Sequence, residues 1–268
     1  MLNLGRPLSV AVLCSRRAPG LEELIERSRR GGFRIACCLT SEEDFAERAL
    51  AEENAIRWIS HPVRAYHRAE RARLSNRVVR ARYDAATARL LALFRPDLVV
   101  LSSYLYVLTA PMLRAFPERI FNVHGSDLEK TGPDGRPLYV GLRAVRDAIV
   151  AGEPETRASF HLVTEALDEG PTLLRSWAFP VSPLVEDARR AQSRETLHAY
   201  AFAHQEWMLR KAWGRLLSHG IEILAGSPVR LVNGAFRIGP FRGPWDLSER
   251  GGILLESERP ALERAVGA

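Results

Sequence analysis

Five short apolar runs, spaced by polar helix-forming stretches, constrain this chain more than anything else in it. Pro7–Cys14 (PLSVAVLC), Phe33–Thr40 (FRIACCLT), Ala55–Ser60 (AIRWIS), Asp97–Ser103 (DLVVLSS) and Ile120–His124 (IFNVH) read as strands. Between them lie helical patterns at Leu21–Arg30, from Ser41 to about Glu53, and from Tyr66 to Phe94, the last closed by Pro96. Ser41 with Asp44 resembles a helix start. Strands alternating with helices predict an α/β fold, a doubly wound, mostly parallel sheet with helices on both faces. In such sheets ligands bind beyond the carboxyl ends of the strands.

The second half extends the pattern and then changes it. A helix is expected over about Gly141–Ala151, then strands at Ala158–Thr164 and Pro171–Phe179. A long helix from about Ser193 to His219, closed by Gly220, precedes a β-hairpin at Val229–Gly239 that turns on Asn233-Gly234. The tail from Pro240, rich in Gly, Pro and charge, is expected to pack loosely. The 268 residues suit one main domain over 1–225, with a C-terminal hairpin and tail over 226–268 packed on it.

Composition excludes some classes. No apolar run reaches membrane-spanning length, and the N-terminus reads as the entry to a first strand rather than a signal peptide. Cys14, Cys37 and Cys38 sit in apolar runs without His or Cys at zinc-site spacing. They read as buried thiols of a reducing, cytoplasmic compartment, with no metal expected. The net charge of +6 comes from 38 basic and 32 acidic residues interspersed along the chain, which suits a mixed solvated surface. Arg73, Arg77 and Arg80 would share one face of the Tyr66–Phe94 helix. A nucleic-acid-binding protein is therefore the reading from another class. The regular apolar set Leu74, Val78, Leu90, Leu91 and Phe94 argues against it.

Asn122 and His124 stand two residues apart in a strand, so they share a face at its carboxyl end. Asp168 lies in a turn before Gly170-Pro171. An amide, an imidazole and a carboxylate suit acyl transfer to an amine without a nucleophilic side chain. Asn122 and a protonated His124 would donate hydrogen bonds to the developing oxyanion. Asp168 would favour the imidazolium and help move the amine's proton. On spacing alone, a lone histidine at a strand end is more often structural.

The order of the motifs adds to this. DLVVLSSYLYVLTAPML, IFNVHGS, GLRAVRDAIVAGE and ASFHLVTEALDEGP together resemble the folate-dependent formyltransferase family, with its Asn-x-His-x-Ser strand end and later Leu-Asp-x-Gly-Pro loop. The resemblance runs from about Leu8 to His219 and implies a Rossmann-like fold. It implies that Asn122, His124 and Asp168 are the catalytic trio and that 10-formyltetrahydrofolate is the formyl donor. It places the pterin against Tyr104, Leu105, Tyr106, Val107 and Leu108 and against Val163, Thr164 and Leu167, largely on backbone groups, with His161 beside the site. Length and the helical C-terminal part look most like the glycinamide ribonucleotide branch of the family. That implies a purine-pathway acceptor and puts Glu206 at its ribose.

Two departures touch the acceptor side. The glycinamide ribonucleotide branch carries a glycine-rich loop after the first strand, whose amides hold a phosphate. Here the loop is SRRAPG: Ser15 and Gly20 remain, and Arg16 and Arg17 offer charge instead. After the histidine the chain reads GSDLEKTGPDGRPLYVG, a turn-rich insertion of roughly eight residues. The alternatives are an amino sugar or other amine as acceptor, hydrolysis with water as acceptor, methionyl-tRNA formylation, and folate binding without turnover. The expected partners are small molecules, folate and an amine, with no membrane and no nucleic acid. A homodimer is compatible with the sequence.

Overall fold

The structure, a computed structural model, describes residues 5–249 and 253–254. Its first half contains β1 (Leu8–Cys14), α1 (Leu21–Ser28), β2 (Phe33–Thr40), α2 (Arg48–Glu53), β3 (Trp58–Ser60), α3 (Val63–Ala69), α4 (Arg77–Ala92), β4 (Leu98–Leu101), α5 (Ala110–Ala115) and β5 (Ile120–His124). Its second half adds α6 (Ala144–Ala151), β6 (Glu155–Thr156), β7 (Ser159–Leu162), β8 (Thr172–Arg175), β9 (Phe179–Pro180), α7 (Val185–Arg190), α8 (Arg194–Met208) and α9 (Gly214–Gly226). It ends with β10 (Arg230–Val232), β11 (Ala235–Ile238), β12 (Phe241–Arg242), β13 (Trp245–Leu247) and β14 (Ile253–Leu254). The main sheet has the order β14-β13-β8-β7-β5-β4-β1-β2-β3. β3, β2, β1, β4 and β5 run parallel, while β7 is antiparallel to both β5 and β8.

β1 is buried along its whole length, and its alternate residues feed two cores. Leu8, Val10, Val12 and Cys14 face one side of the sheet, Ala11 and Leu13 the other. A strand covered on both faces needs apolar residues at every position, which is why the run shows no alternation. In β5, Phe121 and Val123 join the first core, with the Phe121 ring stacked on Phe160 at 5.0 Å. Burying side chains of this size contributes about 1.5–3 kcal/mol each. The apolar pair thus sets which way β5 faces. Asn122 and His124 are carried to the opposite face, with Ile120.

Several expected boundaries move. Ser41 does not start a helix, because its hydroxyl lies 2.7 Å from that of Ser15, and α2 begins only at Arg48. Ala55–Ser60 shortens to β3, and Pro171–Phe179 splits into β8 and β9. The Tyr66–Phe94 helix breaks into α3 and α4 around Arg71, whose φ is 50°. Asn76 caps α4 by accepting from the N–H groups of Val78 and Val79, each at 3.1 Å. Arg73 therefore lies outside a helix and Arg80 is buried, so the three-arginine face does not form.

Gly220 does not close the long helix, which continues to Gly226. It is a packing glycine: a Cβ there would stand 2.3 Å from Phe160. The same helix bulges, with a π turn at Leu209–Trp213 joining α8 to α9. The hairpin turns on Asn233 and Gly234, both at positive φ (49° and 72°), as a type I′ turn requires. The tail is not loose through its described part. β13 adds a strand parallel to β8 with Trp245 buried, and Phe236 of the hairpin lies 5.8 Å from Phe121. The rest of the tail, 250–252 and 255–268, lies outside the described residues.

All three cysteines are free and buried, and burial pushes the thiols of Cys14 and Cys37 up to about 12. Among the described residues no helix is long and apolar enough to cross a membrane.

Candidate active site

β5 and β7 pair with Asn122 opposite His161 and His124 opposite Ser159. Directly opposed residues share a face, so the three polar side chains gather at one edge. Asn122 Nδ2 lies 3.2 Å from His161 Nε2, and His161 Nδ1 lies 3.1 Å from the Leu162 carbonyl. A carbonyl only accepts, so this network assigns the His161 proton to Nδ1 and leaves Nε2 to accept from Asn122. Burial pushes the His161 pKa down to about 4, which keeps the ring neutral. His161 thereby fixes the Asn122 amide, whose second N–H stays available to a ligand.

His124 is 8% exposed. Its Nε2 lies 3.2 Å from the Tyr139 carbonyl and its Nδ1 3.4 Å from Asp168 Oδ2. Asp168, at a positive φ of 54°, accepts the Gly141 N–H through Oδ2 at 2.8 Å. The inserted stretch after the histidine therefore grips both catalytic candidates with its backbone. It is anchored in turn by the Tyr139 hydroxyl on Glu153, at 2.8 Å. Both nitrogens of His124 face acceptors, an arrangement only an imidazolium satisfies completely. Burial works against that charge and outweighs Asp168 and the Tyr139 carbonyl, so the His124 pKa falls below the ordinary histidine value. A lowered pKa favours neutral His124 at neutral pH, with two acceptors in place for a second proton.

These groups line a cavity of about 320 Å³. Tyr104, Leu105, Tyr106, Val107 and Leu108 form one wall, and Val163, Thr164 and Leu167 another. Gly141 and Leu142, which open the GLRAVRDAIVAGE motif, also border it, as do Gln205, Leu209 and Trp213, which no quoted motif contains. Gln205, Leu209 and Trp213 recur at i, i+4 and i+8 along α8 and the π turn. That spacing is visible in the sequence, but the helix carries apolar residues on several sides.

The acceptor-side candidates do not all join them. Ser15 is fully buried, and its hydroxyl accepts the Leu105 N–H at 3.0 Å, so it braces the 104–108 wall from inside. Arg16 is exposed. Gly20, at φ 85°, lets the start of α1 lie on α9, since a Cβ would stand 2.5 Å from Gly214 Cα. Arg17 grips Glu206 with two hydrogen bonds, at 2.9 and 2.6 Å, holding that carboxyl below its ordinary pKa. These two, with Gly20, Glu22, Glu47 and Arg210, line a second pocket of about 370 Å³, and Leu209 borders both spaces. The Ala18 N–H donates to Glu47 at 2.6 Å, so a carboxylate already takes an amide of the loop. Among the described residues no group of three or more His, Cys, Asp or Glu is placed to hold a metal ion.

An amide donor, a neutral imidazole and a carboxylate around one cavity, at the carboxyl end of a doubly wound sheet, define a site suited to acyl-group transfer. The chain belongs to the formyl transferase family, whose model matches residues 8–199. It is 32% identical over 127 residues to the trifunctional purine biosynthetic protein adenosine-3 of Drosophila melanogaster, covering 47% of this chain and 9% of that protein. It is 26% identical over 176 residues to the formyltetrahydrofolate deformylase of Escherichia coli (strain K12), covering 65% of this chain and 55% of that one. The chain thus spans only part of either curated relative. Glycinamide ribonucleotide transformylase 1 from Symbiobacterium toebii superposes with a TM-score of 0.65 at 27% identity, covering 87% of this chain and 95% of that one.

Proposed function

We propose that this protein transfers a formyl group from 10-formyltetrahydrofolate to the primary amine of a small acceptor, with glycinamide ribonucleotide the best-supported acceptor. One observation carries the reading: Asn122, His124 and Asp168 converge on a single cavity walled by the 104–108 and 163–168 segments. Those walls offer main-chain polar groups between apolar side chains, which suits a flat heteroaromatic ring bound by its edge. The bound folate supplies the formyl carbon. The free N–H of Asn122 meets the oxygen charge that develops when the amine attacks. His124, neutral at rest, takes the amine's proton at one ring nitrogen. The resulting charge sits between the Tyr139 carbonyl and Asp168 until the proton passes to the folate's N10, as the bond from that nitrogen to the formyl carbon breaks and tetrahydrofolate leaves. Proton transfer by a ring so placed is worth about 10²–10⁴ in rate.

The names of the fly protein and the Symbiobacterium enzyme support a purine-pathway acceptor. Its phosphate would meet the side chains of Arg17 and Arg210 in the second pocket, in place of a glycine-rich cradle, with Glu206 released toward the ribose. We assign the chemistry to residues 1–225, with the described part of 226–268 as an appendage to them. A reducing cytoplasm suits three free, buried thiols. Hydrolysis is the second reading, favoured by the deformylase relative, because the same trio serves water as well as an amine. Incubation with 10-formyltetrahydrofolate and glycinamide ribonucleotide, following cofactor deformylation and acceptor mass together, separates them. Formyl gain by the ribonucleotide supports transfer, and cofactor loss without that gain supports hydrolysis.

A further inference from the structure

Arg80 and Asp84 form a buried ion pair on α4, one turn apart, with Nη2 3.2 Å from Oδ1. Arg80 is 8% exposed and Asp84 fully buried. Burying two charges is costly, so a retained pair needs further partners. Among the described residues its side-chain partners come from the stretch Tyr104–Thr109 and from α4 itself. Arg80 donates to the Tyr104 hydroxyl at 3.1 Å, and its guanidinium lies 5.1 Å from the centre of the Tyr106 ring and 5.0 Å from that of Tyr83. Asp84 Oδ2 accepts from the Thr109 N–H at 2.6 Å and from the Thr109 hydroxyl at 2.7 Å.

The stretch between those ties, Tyr104 to Leu108, has no helix or strand, and Ser103 before it sits at a positive φ of 53°. All five of its residues line the catalytic cavity. Without ladder hydrogen bonds, such a wall holds its shape through side-chain ties: Ser15 braces it at Leu105, and two further ties hold its ends. α4 supplies both end ties, Arg80 at the entry and Asp84 just past the exit.

We infer that Arg80 and Asp84 are positioning residues for the folate: they set the shape of the 104–108 wall and leave acceptor recognition untouched. The inference rests on the formyl-donor reading above. It predicts a selective defect. Arg80→Met and Asp84→Asn should each weaken tetrahydrofolate binding by about tenfold or more, with the acceptor KM within about twofold of wild type. Arg80→Lys, which keeps the charge but loses the planar fork, should recover only part of the loss.

The test is a tetrahydrofolate titration of the full chain by tryptophan fluorescence or calorimetry, with both KM values and a thermal melt for each variant. Tyr104→Phe and Thr109→Val cut the same ties without leaving a buried charge alone, so they remain usable if the charge variants do not fold. Weakened folate binding in these two, with an unchanged acceptor KM, supports the inference. Wild-type folate affinity in both, or an equal rise in both KM values, overturns it. A wild-type protein that binds no tetrahydrofolate overturns the donor reading, and this inference with it.

Discussion

Asp168 Oδ2 lies 3.4 Å from His124 Nδ1 and accepts the Gly141 N–H at 2.8 Å. The backbone bond fixes the carboxylate in place, so its charge acts on the imidazole from a set position. That charge raises the His124 pKa, while burial lowers it and prevails.

Asp168→Asn removes the raising influence, so the His124 pKa drops further. With neutral His124 as the working form, the acid limb of the kcat/KM profile should move to lower pH. The rate at neutral pH should fall by about 10² as the imidazolium loses its partner. A pH-rate series on wild type and variant checks this. An acid limb that stays in place breaks the proposed coupling.

His161 carries a separate pH signature. Its folded pKa is about 4, against an ordinary value of 6.5. Between those values the unfolded chain binds a proton that the folded chain refuses. Stability therefore falls as pH drops through that window and levels off below it. Urea unfolding at a series of pH values should show a shallower acid slope for His161→Asn than for wild type.

How far the site was legible follows from which forces set each residue. Asn122 and His124 could be placed on one face because strand periodicity is strict and their neighbours Phe121 and Val123 are plainly core. The walls at 104–108 and 163–167 came from motif order, not from any local physical signal. Arg80 misled because an arginine reads as solvent-facing, and its buried partner Asp84 is recognisable only once α4 packs against Thr109. Gly220 misled because its reason, the Phe160 ring, is far away in the chain. The occupied amide at Ala18 depends on Glu47 in the same way.

Gly220→Ala tests that packing. In an open helix interior, alanine would be favoured by about 1 kcal/mol. Here the Phe160 ring cannot retreat easily, being stacked on Phe121. Overpacking of this kind costs about 1–3 kcal/mol, so the variant should melt at a lower temperature than wild type. A raised melting temperature would contradict the packing role of Gly220 against Phe160.

Arg17→Met probes the second pocket. It removes a cation proposed to meet the acceptor's phosphate, so the acceptor KM should rise by about tenfold with the folate KM unchanged. Glu47→Gln should act in the opposite sense, because it takes a negative charge from the same pocket. Steady-state kinetics with each substrate varied in turn decide both. Unchanged acceptor KM values in the two variants would remove the pocket from acceptor binding.

The most direct measurement is a single-turnover reaction with 10-formyltetrahydrofolate carrying ¹³C in its formyl group, read by NMR, with glycinamide ribonucleotide present. Wild type should place the label in a formamide on the acceptor. His124→Ala should do so about 10² more slowly or worse, while binding folate within a few-fold of wild type. Label appearing as formate in the presence of acceptor, or full-rate transfer by His124→Ala, would contradict formyl transfer through this cavity.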